Sequence, residues 1–355
     1  MTLMKAARIY GAKDVRVEDV ELKNLGTKDV KIEVAWAGIC GSDLHAYTDP
    51  VGLLPVDDVH PLSDRKLPLT LGHEFSGTIT EVGSDVTSLK VGDRVCVEPN
   101  LRCGECKECR EANYHICRNS GAAFIGLADD GGFAEYCVLD EKHVFQIPDN
   151  MSLEQAALVE PTAVTHRGVE LGGVKAGDKV LVTGAGPIGL LTALCARAAG
   201  ATSVYISDVS KDRLELANSF GFVTPLNPLE DDVVARIMED TNNTGVDVAI
   251  ECAGVQATFD TCLSAVKITG TVCLVAIFAE DPKLSTFQAL IKEAKIVSSL
   301  AYANSYDRVI DLIASGQVPA EKVITNKIKL DNIVEDGFEL LLNDKSQSKV
   351  LVSAK

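Results

Sequence analysis

One stretch, residues 179–208, limits what this chain can become more than any other. It reads K-V-L-V-T-G-A-G-P-I-G-L-L-T-A-L-C-A-R-A-A-G-A-T-S-V-Y-I-S-D. Residues 180–183 are β-formers, long enough for a buried parallel strand. Gly184, Gly186 and Gly189 follow in G-x-G-x-x-G register, with Pro187 and Ile188 opening a helix that Gly200 ends. A second strand at 203–207 delivers Asp208. A bare G-x-G-x-x-G is weak, because glycines serve many turns. Here a strand precedes it, a helix follows and an acid closes the unit, which is the full dinucleotide fingerprint.

Each part has a physical task. Gly184 permits the tight turn, Gly186 lets backbone approach a pyrophosphate, and Gly189 lets helix pack on strand. The helix N-terminus offers free N–H groups and a positive dipole end to phosphates. Asp208 suits the hydroxyls of a ribose and repels a 2′-phosphate, so the expected cofactor is NAD rather than NADP. The expected cofactor-binding set is Gly184, Gly186, Pro187, Ile188, Gly189, Asp208 and Arg213.

Around this unit, strands are expected at 180–183, 203–207, 221–224, 246–251, 271–275 and 295–299, with helices between most of them. Six strands with crossovers make a doubly wound parallel sheet. Helical patterns near 306–315 and 331–342 and a last strand at 349–353 are surplus to that sheet. They are expected to return to the other domain.

That domain opens the chain. Val30, Ile32, Val34 and Trp36 alternate with Lys31 and Glu33, as in a half-buried strand of an antiparallel, β-rich fold. Residues 38–45, G-I-C-G-S-D-L-H, then crowd a thiol, a hydroxyl and an imidazole into one turn. Alone, Cys40 reads as a small buried hydrophobe and His45 as an ordinary histidine; together, beside turn-forming glycines, they suggest a site. Residues 48–66 form a polar, proline-punctuated loop of a length that often carries function. His73 and Glu74 place an imidazole next to a carboxylate. Glu160 stands among Ala156, Ala157, Leu158 and Val159, where a carboxylate needs a partner.

Cys103, Cys106, Cys109 and Cys117 follow a C-x2-C-x2-C-x7-C spacing with polar residues between them. Four thiolates so spaced can enclose a tetrahedral Zn2+ and leave no open position, so a structural zinc lobe is expected. A disulfide pair is the alternative. Residues 1–5 lack the basic start of a secretory signal, which favours reduced thiols and a cytoplasmic setting. The cysteines at 96, 137, 195, 252, 262 and 273 read as core packing.

The chain has 355 residues, enough for two domains with sizeable cores. A net charge of −17 argues against nucleic acid or an anionic membrane surface as a partner. The most apolar window, 180–196, holds three glycines and a proline and matches a βα unit rather than a membrane span.

In this order and spacing, G-I-C-G-S-D-L-H, G-H-E-F-S-G at 72–77, the four-cysteine lobe, E-P at 160–161 and the fingerprint ending at Asp208 resemble the zinc-dependent medium-chain alcohol and polyol dehydrogenases over essentially the whole chain. The resemblance implies an α/β chain, with a β-rich GroES-like catalytic domain at 1–158 and 300–355, including a structural zinc lobe at 98–118. It implies a doubly wound Rossmann domain for NAD at 159–299, built on a six-stranded parallel sheet. It implies a catalytic Zn2+ on Cys40 and His73, with Glu160 as third ligand and Glu74 as a transient ligand or supporting carboxylate.

In such enzymes Ser42 would bond the substrate oxygen, and His45 would pass the proton to solvent. The expected reaction interconverts a secondary alcohol or vicinal diol and a ketone. The segment 53–62 leading to 67–74 resembles the loop of the branch acting on (R,R)-2,3-butanediol and acetoin. Sorbitol and threonine dehydrogenases share the metal residues and stay open as alternatives. A non-catalytic binding protein on this fold is a remote one. Members are usually homodimers or homotetramers, often paired through the sheet edge near 271–279.

Overall fold

A computed structural model describes residues 3–121 and 123–355, and it divides them into two compact units. The first comprises Met1–Glu160, Tyr306–Ala314 and Ile324–Lys355; the second comprises Pro161–Ser305 and Ser315–Val323. Residues 300–305 and 315–323, expected with the catalytic domain, thus fall in the second unit, and residues 159–160 in the first.

In the second unit six parallel strands lie in the order Val223–Leu226, Ser203–Ser207, Lys179–Thr183, Val246–Glu251, Val266–Leu274, Lys295–Ser298. The chain thus runs outward one way from Lys179–Thr183, then returns and builds the other way. A doubly wound sheet binds ligands where its order reverses, at the carboxyl ends of its strands. Thr183 and Glu251 stand opposite each other at that reversal. Below them Leu181, Ala249, Val246, Val272 and Phe259 form the core. Strand five runs longer than expected, from Val266; left-handed Thr269 lies within it, where the pairing with Val246–Glu251 shifts register.

The first unit holds two sheets. A small antiparallel one orders Asp14–Glu21, Leu3–Gly11 and Leu69–Thr70. The larger, seven-stranded one runs Ile324–Lys329, Lys349–Ser353, Asp29–Gly38, Glu74–Val82, Arg94–Val97, Val144–Gln146, with Tyr136–Asp140 also pairing Asp29–Gly38. The last strand of the chain therefore lies antiparallel to Asp29–Gly38. Val30, Ile32 and Val34 are buried as their alternation requires, but Trp36 is not. The ladder shifts register between Val34 and Trp36, and Ala37 takes the buried side instead. Trp36 faces outward, with the Lys327 ammonium 5.2 Å from its ring centroid.

Ser152 caps the helix Leu153–Ala157 as a capping box, its hydroxyl accepting from the Gln155 N–H while Gln155 accepts from the Ser152 N–H. The expected helix at 331–342 is a wider π-helical turn over Ile333–Glu339 followed by Leu340–Asn343. Among the described residues no helix is long and apolar enough to cross a membrane.

Candidate metal centre and nucleotide site

The strand Asp29–Gly38 ends at Gly38, and the helix Gly41–Thr48 begins three residues later, leaving Ile39 and Cys40 at the junction. The strand Glu74–Val82 starts directly opposite, with Glu74 in register with Gly38. This pairing brings one donor atom each from Cys40, His73 and Glu74 to within 4.8 Å of one another. His73 is 4% exposed and Glu74 is fully buried. One sulfur, one imidazole nitrogen and one carboxylate oxygen make a donor set that suits zinc.

The surroundings orient that set. Asp43 is fully buried; its Oδ2 accepts from the Cys40 N–H at 2.9 Å, and its Oδ1 lies 3.4 Å from His73 Nδ1. The other ring nitrogen, Nε2, lies 3.2 Å from the Ser42 hydroxyl, and Phe124 stacks on the ring at 6.0 Å. Burial alone would push His73 below its ordinary value; Asp43 and Cys40 outweigh it and hold the imidazole well above it. His45 sits one helical turn beyond Ser42 and is exposed.

Glu160, in the first turn of the helix Val159–Gly172, is 6% exposed. Its carboxylate does not join the cluster of donors within 4.8 Å, although its charge reaches Lys349. Lys349 is a residue that the sequence reading missed. It is 1% exposed, and its ammonium donates to Glu74 Oε1 at 2.7 Å, Glu74 Oε2 at 2.6 Å and the Ile39 carbonyl at 3.0 Å. Burial lowers its pKa, but the Glu74 carboxylate raises it further and prevails. Asp43 also went unassigned, although it stands inside the quoted motif between Cys40 and His45.

The second cluster is the four-cysteine lobe. Cys103 lies 3.9 Å from Cys109 and 3.6 Å from Cys117, and Cys106 lies 3.7 Å from Cys117, sulfur to sulfur. A tetrahedron with Zn–S bonds of about 2.3 Å has S–S edges of about 3.8 Å, whereas a disulfide needs about 2.05 Å. These separations fit a zinc ion and are too long for disulfides. The Cys106 N–H and the Asn119 amide both point at Cys103 Sγ, at 3.3 and 3.4 Å. Burial would raise the Cys117 thiol, but backbone N–H groups of Cys103 and Asn119 help bring it down to about 6. Below the lobe, buried Glu98 accepts from Tyr114 at 2.6 Å and from Arg102 at 2.8 Å.

In the second unit Gly184 has φ +90°, a left-handed turn that its missing Cβ permits. The helix Pro187–Ala198 follows, with Gly186 as its N-cap and Ile188 in its first turn. Among the described residues no side chain caps this end, so its N–H groups stay available to an anion. Asp208 Oδ2 accepts from the Ala185 N–H at 2.6 Å, inside the glycine turn, and Oδ1 accepts from the Ser210 N–H at 2.8 Å. Arg213, three residues into the next helix, reaches within 4.0 Å of where a Gly186 Cβ would be. The expected nucleotide residues therefore gather at one end of the sheet.

A doubly wound nucleotide fold and a β-rich unit carrying a cysteine–histidine–glutamate cluster and a four-cysteine lobe together define a zinc-type dehydrogenase. The chain belongs to the zinc-binding alcohol dehydrogenase family. Residues 26–149 match the alcohol dehydrogenase GroES-like domain, and residues 187–315 match the zinc-binding dehydrogenase domain. It is 41% identical to the (R,R)-butanediol dehydrogenase of Bacillus subtilis (strain 168), over 98% of this chain and 99% of that protein. The crystal structure of 2R,3R-butanediol dehydrogenase from Bacillus subtilis superposes with a TM-score of 0.94 at 41% identity, covering 99% of this chain and all of that one. A zinc-binding dehydrogenase from Sinorhizobium meliloti 1021 bound to NADP gives 0.90 at 34% identity, covering 99% and 100%.

Proposed function

We propose that this chain is an NAD-dependent zinc dehydrogenase that interconverts (R,R)-2,3-butanediol and acetoin. The observation that carries the reading is the convergence of Cys40, His73 and Glu74, with the Ser42 hydroxyl 3.2 Å from His73 Nε2. Similarity to the butanediol dehydrogenase of Bacillus subtilis over nearly the full length of both chains supports the substrate.

In this reading Cys40 and His73 hold the catalytic ion, with a carboxylate as third donor. Glu160 is that donor by resemblance, and Glu74 by its place in the cluster. Cys103, Cys106, Cys109 and Cys117 hold a second, structural ion. Zinc bound at Cys40 and His73 supplies a Lewis acid that makes an alcohol hydroxyl easier to deprotonate. Ser42 accepts that hydroxyl's hydrogen bond and orients the carbinol carbon. Asp43 keeps His73 in one orientation. His45, exposed on the same helix, exchanges the proton with solvent, a task imidazole performs near neutral pH. The second unit binds NAD, with Gly184, Gly186, Pro187, Ile188 and Gly189 at the pyrophosphate, Arg213 beside them, and Asp208 selecting against a 2′-phosphate.

Two copies pair through the outer edge of the six-stranded sheet. Among the described residues its last strand, Lys295–Ser298, is paired on one side only, and around it Ile268, Ile277, Phe287, Leu290 and Ile291 are all more than half exposed. Eleven free cysteines suit a reducing, cytoplasmic setting.

The test is NADH formation by purified protein on (R,R)-2,3-butanediol, sorbitol and threonine, before and after chelation. Chelator-sensitive activity led by butanediol supports the proposal. A lead by sorbitol or threonine keeps the chemistry and rejects the substrate. Activity that survives metal removal rejects the metal reading.

A further inference from the structure

The cluster contains a conflict. Glu74 belongs to the donor group with Cys40 and His73, yet both its oxygens already accept from one ammonium, at 2.7 and 2.6 Å. Lys349 and a divalent cation therefore compete for the same carboxylate. The fold favours the lysine. The strand Lys349–Ser353 pairs with Asp29–Gly38, and the Ile39 carbonyl fixes the ammonium as a third acceptor at 3.0 Å. On the other side the carboxylate lies over Gly38, where a Cβ would stand 2.1 Å from Glu74 Oε2. Only a residue without a side chain at position 38 lets Glu74 rest in the pose that Lys349 holds.

We infer that Lys349 is a positioning residue: it withholds Glu74 from the metal and keeps one coordination position open for the substrate oxygen. The inference rests on the proposed reading in which Cys40, His73 and Glu160 are the three metal ligands. A catalytic zinc needs an open position, and a resident fourth protein ligand would close it. A buried lysine–glutamate pair is a weak source of stability, since desolvation offsets its attraction. Retention of the metal's open position gives it a functional role.

Three variants test this: Lys349→Met frees the carboxylate, Gly38→Ala displaces it sterically with Lys349 in place, and Lys349→Arg preserves the ion pair. The readouts are metal per chain, the rate of metal release from the catalytic site to a chelator, and the visible spectrum after cobalt substitution. Lys349→Met and Gly38→Ala should release metal about tenfold more slowly, with an altered cobalt spectrum and a lower kcat. Lys349→Arg should match the parent protein, and adding Glu74→Gln to Lys349→Met should restore the parent release rate. Should Lys349→Met fail to fold, Gly38→Ala carries the test. Parent-like release and spectra in folded Gly38→Ala would overturn the inference, as would a slow release that Glu74→Gln does not reverse. One metal per chain in the parent protein, bound at the four-cysteine lobe, would instead overturn the underlying metal reading.

Discussion

Gly189 packs so closely on Gly184 that a Cβ at position 189 would lie 1.7 Å from the Gly184 carbonyl oxygen. The obstacle is backbone rather than a flexible side chain, so nothing nearby can yield without moving the turn itself. Gly189→Ala should therefore lower stability by about 1–3 kcal/mol, the range for overpacking a filled site. It should also weaken NADH binding, because the displaced turn is the one that receives the pyrophosphate. Thermal unfolding and fluorescence titration with NADH measure the two effects. A variant with unchanged affinity would separate this turn from the cofactor site.

Asp208 is already engaged before any ribose arrives, through the Ala185 and Ser210 N–H groups. Hydrogen bonds to a charged group contribute about 1.5–3 kcal/mol each, so the carboxylate organises the glycine turn as well as selecting the cofactor. Asp208→Asn keeps an acceptor but loses the charge. NAD affinity should fall about tenfold or more, and the preference for NAD over NADP should narrow. Initial rates with both cofactors decide it; an unaltered preference would remove Asp208 from the selectivity role.

The nucleotide half was legible because its signals are local: strand, glycine turn, helix and acid lie within one stretch. The strands at 203–207 and 246–251 occur at those bounds. The metal cluster was legible only as residue types at motif spacing. What escaped was long-range. Lys349 opens an apolar strand far along the chain from Glu74, and no periodicity reveals that their strands flank Asp29–Gly38 in one sheet. The strand Ile324–Lys329 was missed because its exposed edge position leaves it polar, with Thr325, Asn326 and Lys327 between Ile324 and Ile328. Trp36 was placed on the wrong face because a register shift has no sequence signature.

The four-cysteine lobe should behave as a stability element. Each thiolate would complete a zinc tetrahedron, and ligand loss would couple directly to folding. Cys106→Ser should lower the zinc content by one ion per chain and depress the Tm. Residual activity should follow the folded fraction. Metal analysis, thermal unfolding and turnover measured on one sample test this. A variant with unchanged Tm and no activity would place the lobe in the chemistry rather than beneath it.

His143 should make the protein sensitive to acid. It is 4% exposed, and its Nδ1 bonds the Glu98 carbonyl at 3.0 Å, at the base of the same lobe. Burial, with Arg102 and Lys142 nearby, lowers its pKa to about 3. The unfolded chain therefore takes up a proton below about pH 6.5 that the folded chain refuses until about pH 3. The unfolded state binds more protons in that window, so stability falls as pH drops through it. The loss from this residue is about 2 kcal/mol at pH 5, from roughly 1.4 kcal/mol per pH unit. His143→Gln, which cannot take up that proton, should lose less stability between pH 7 and pH 5 than the parent protein. Urea unfolding at both pH values, with zinc held constant, gives the comparison. Equal losses in the two proteins would show that His143 does not carry the acid sensitivity.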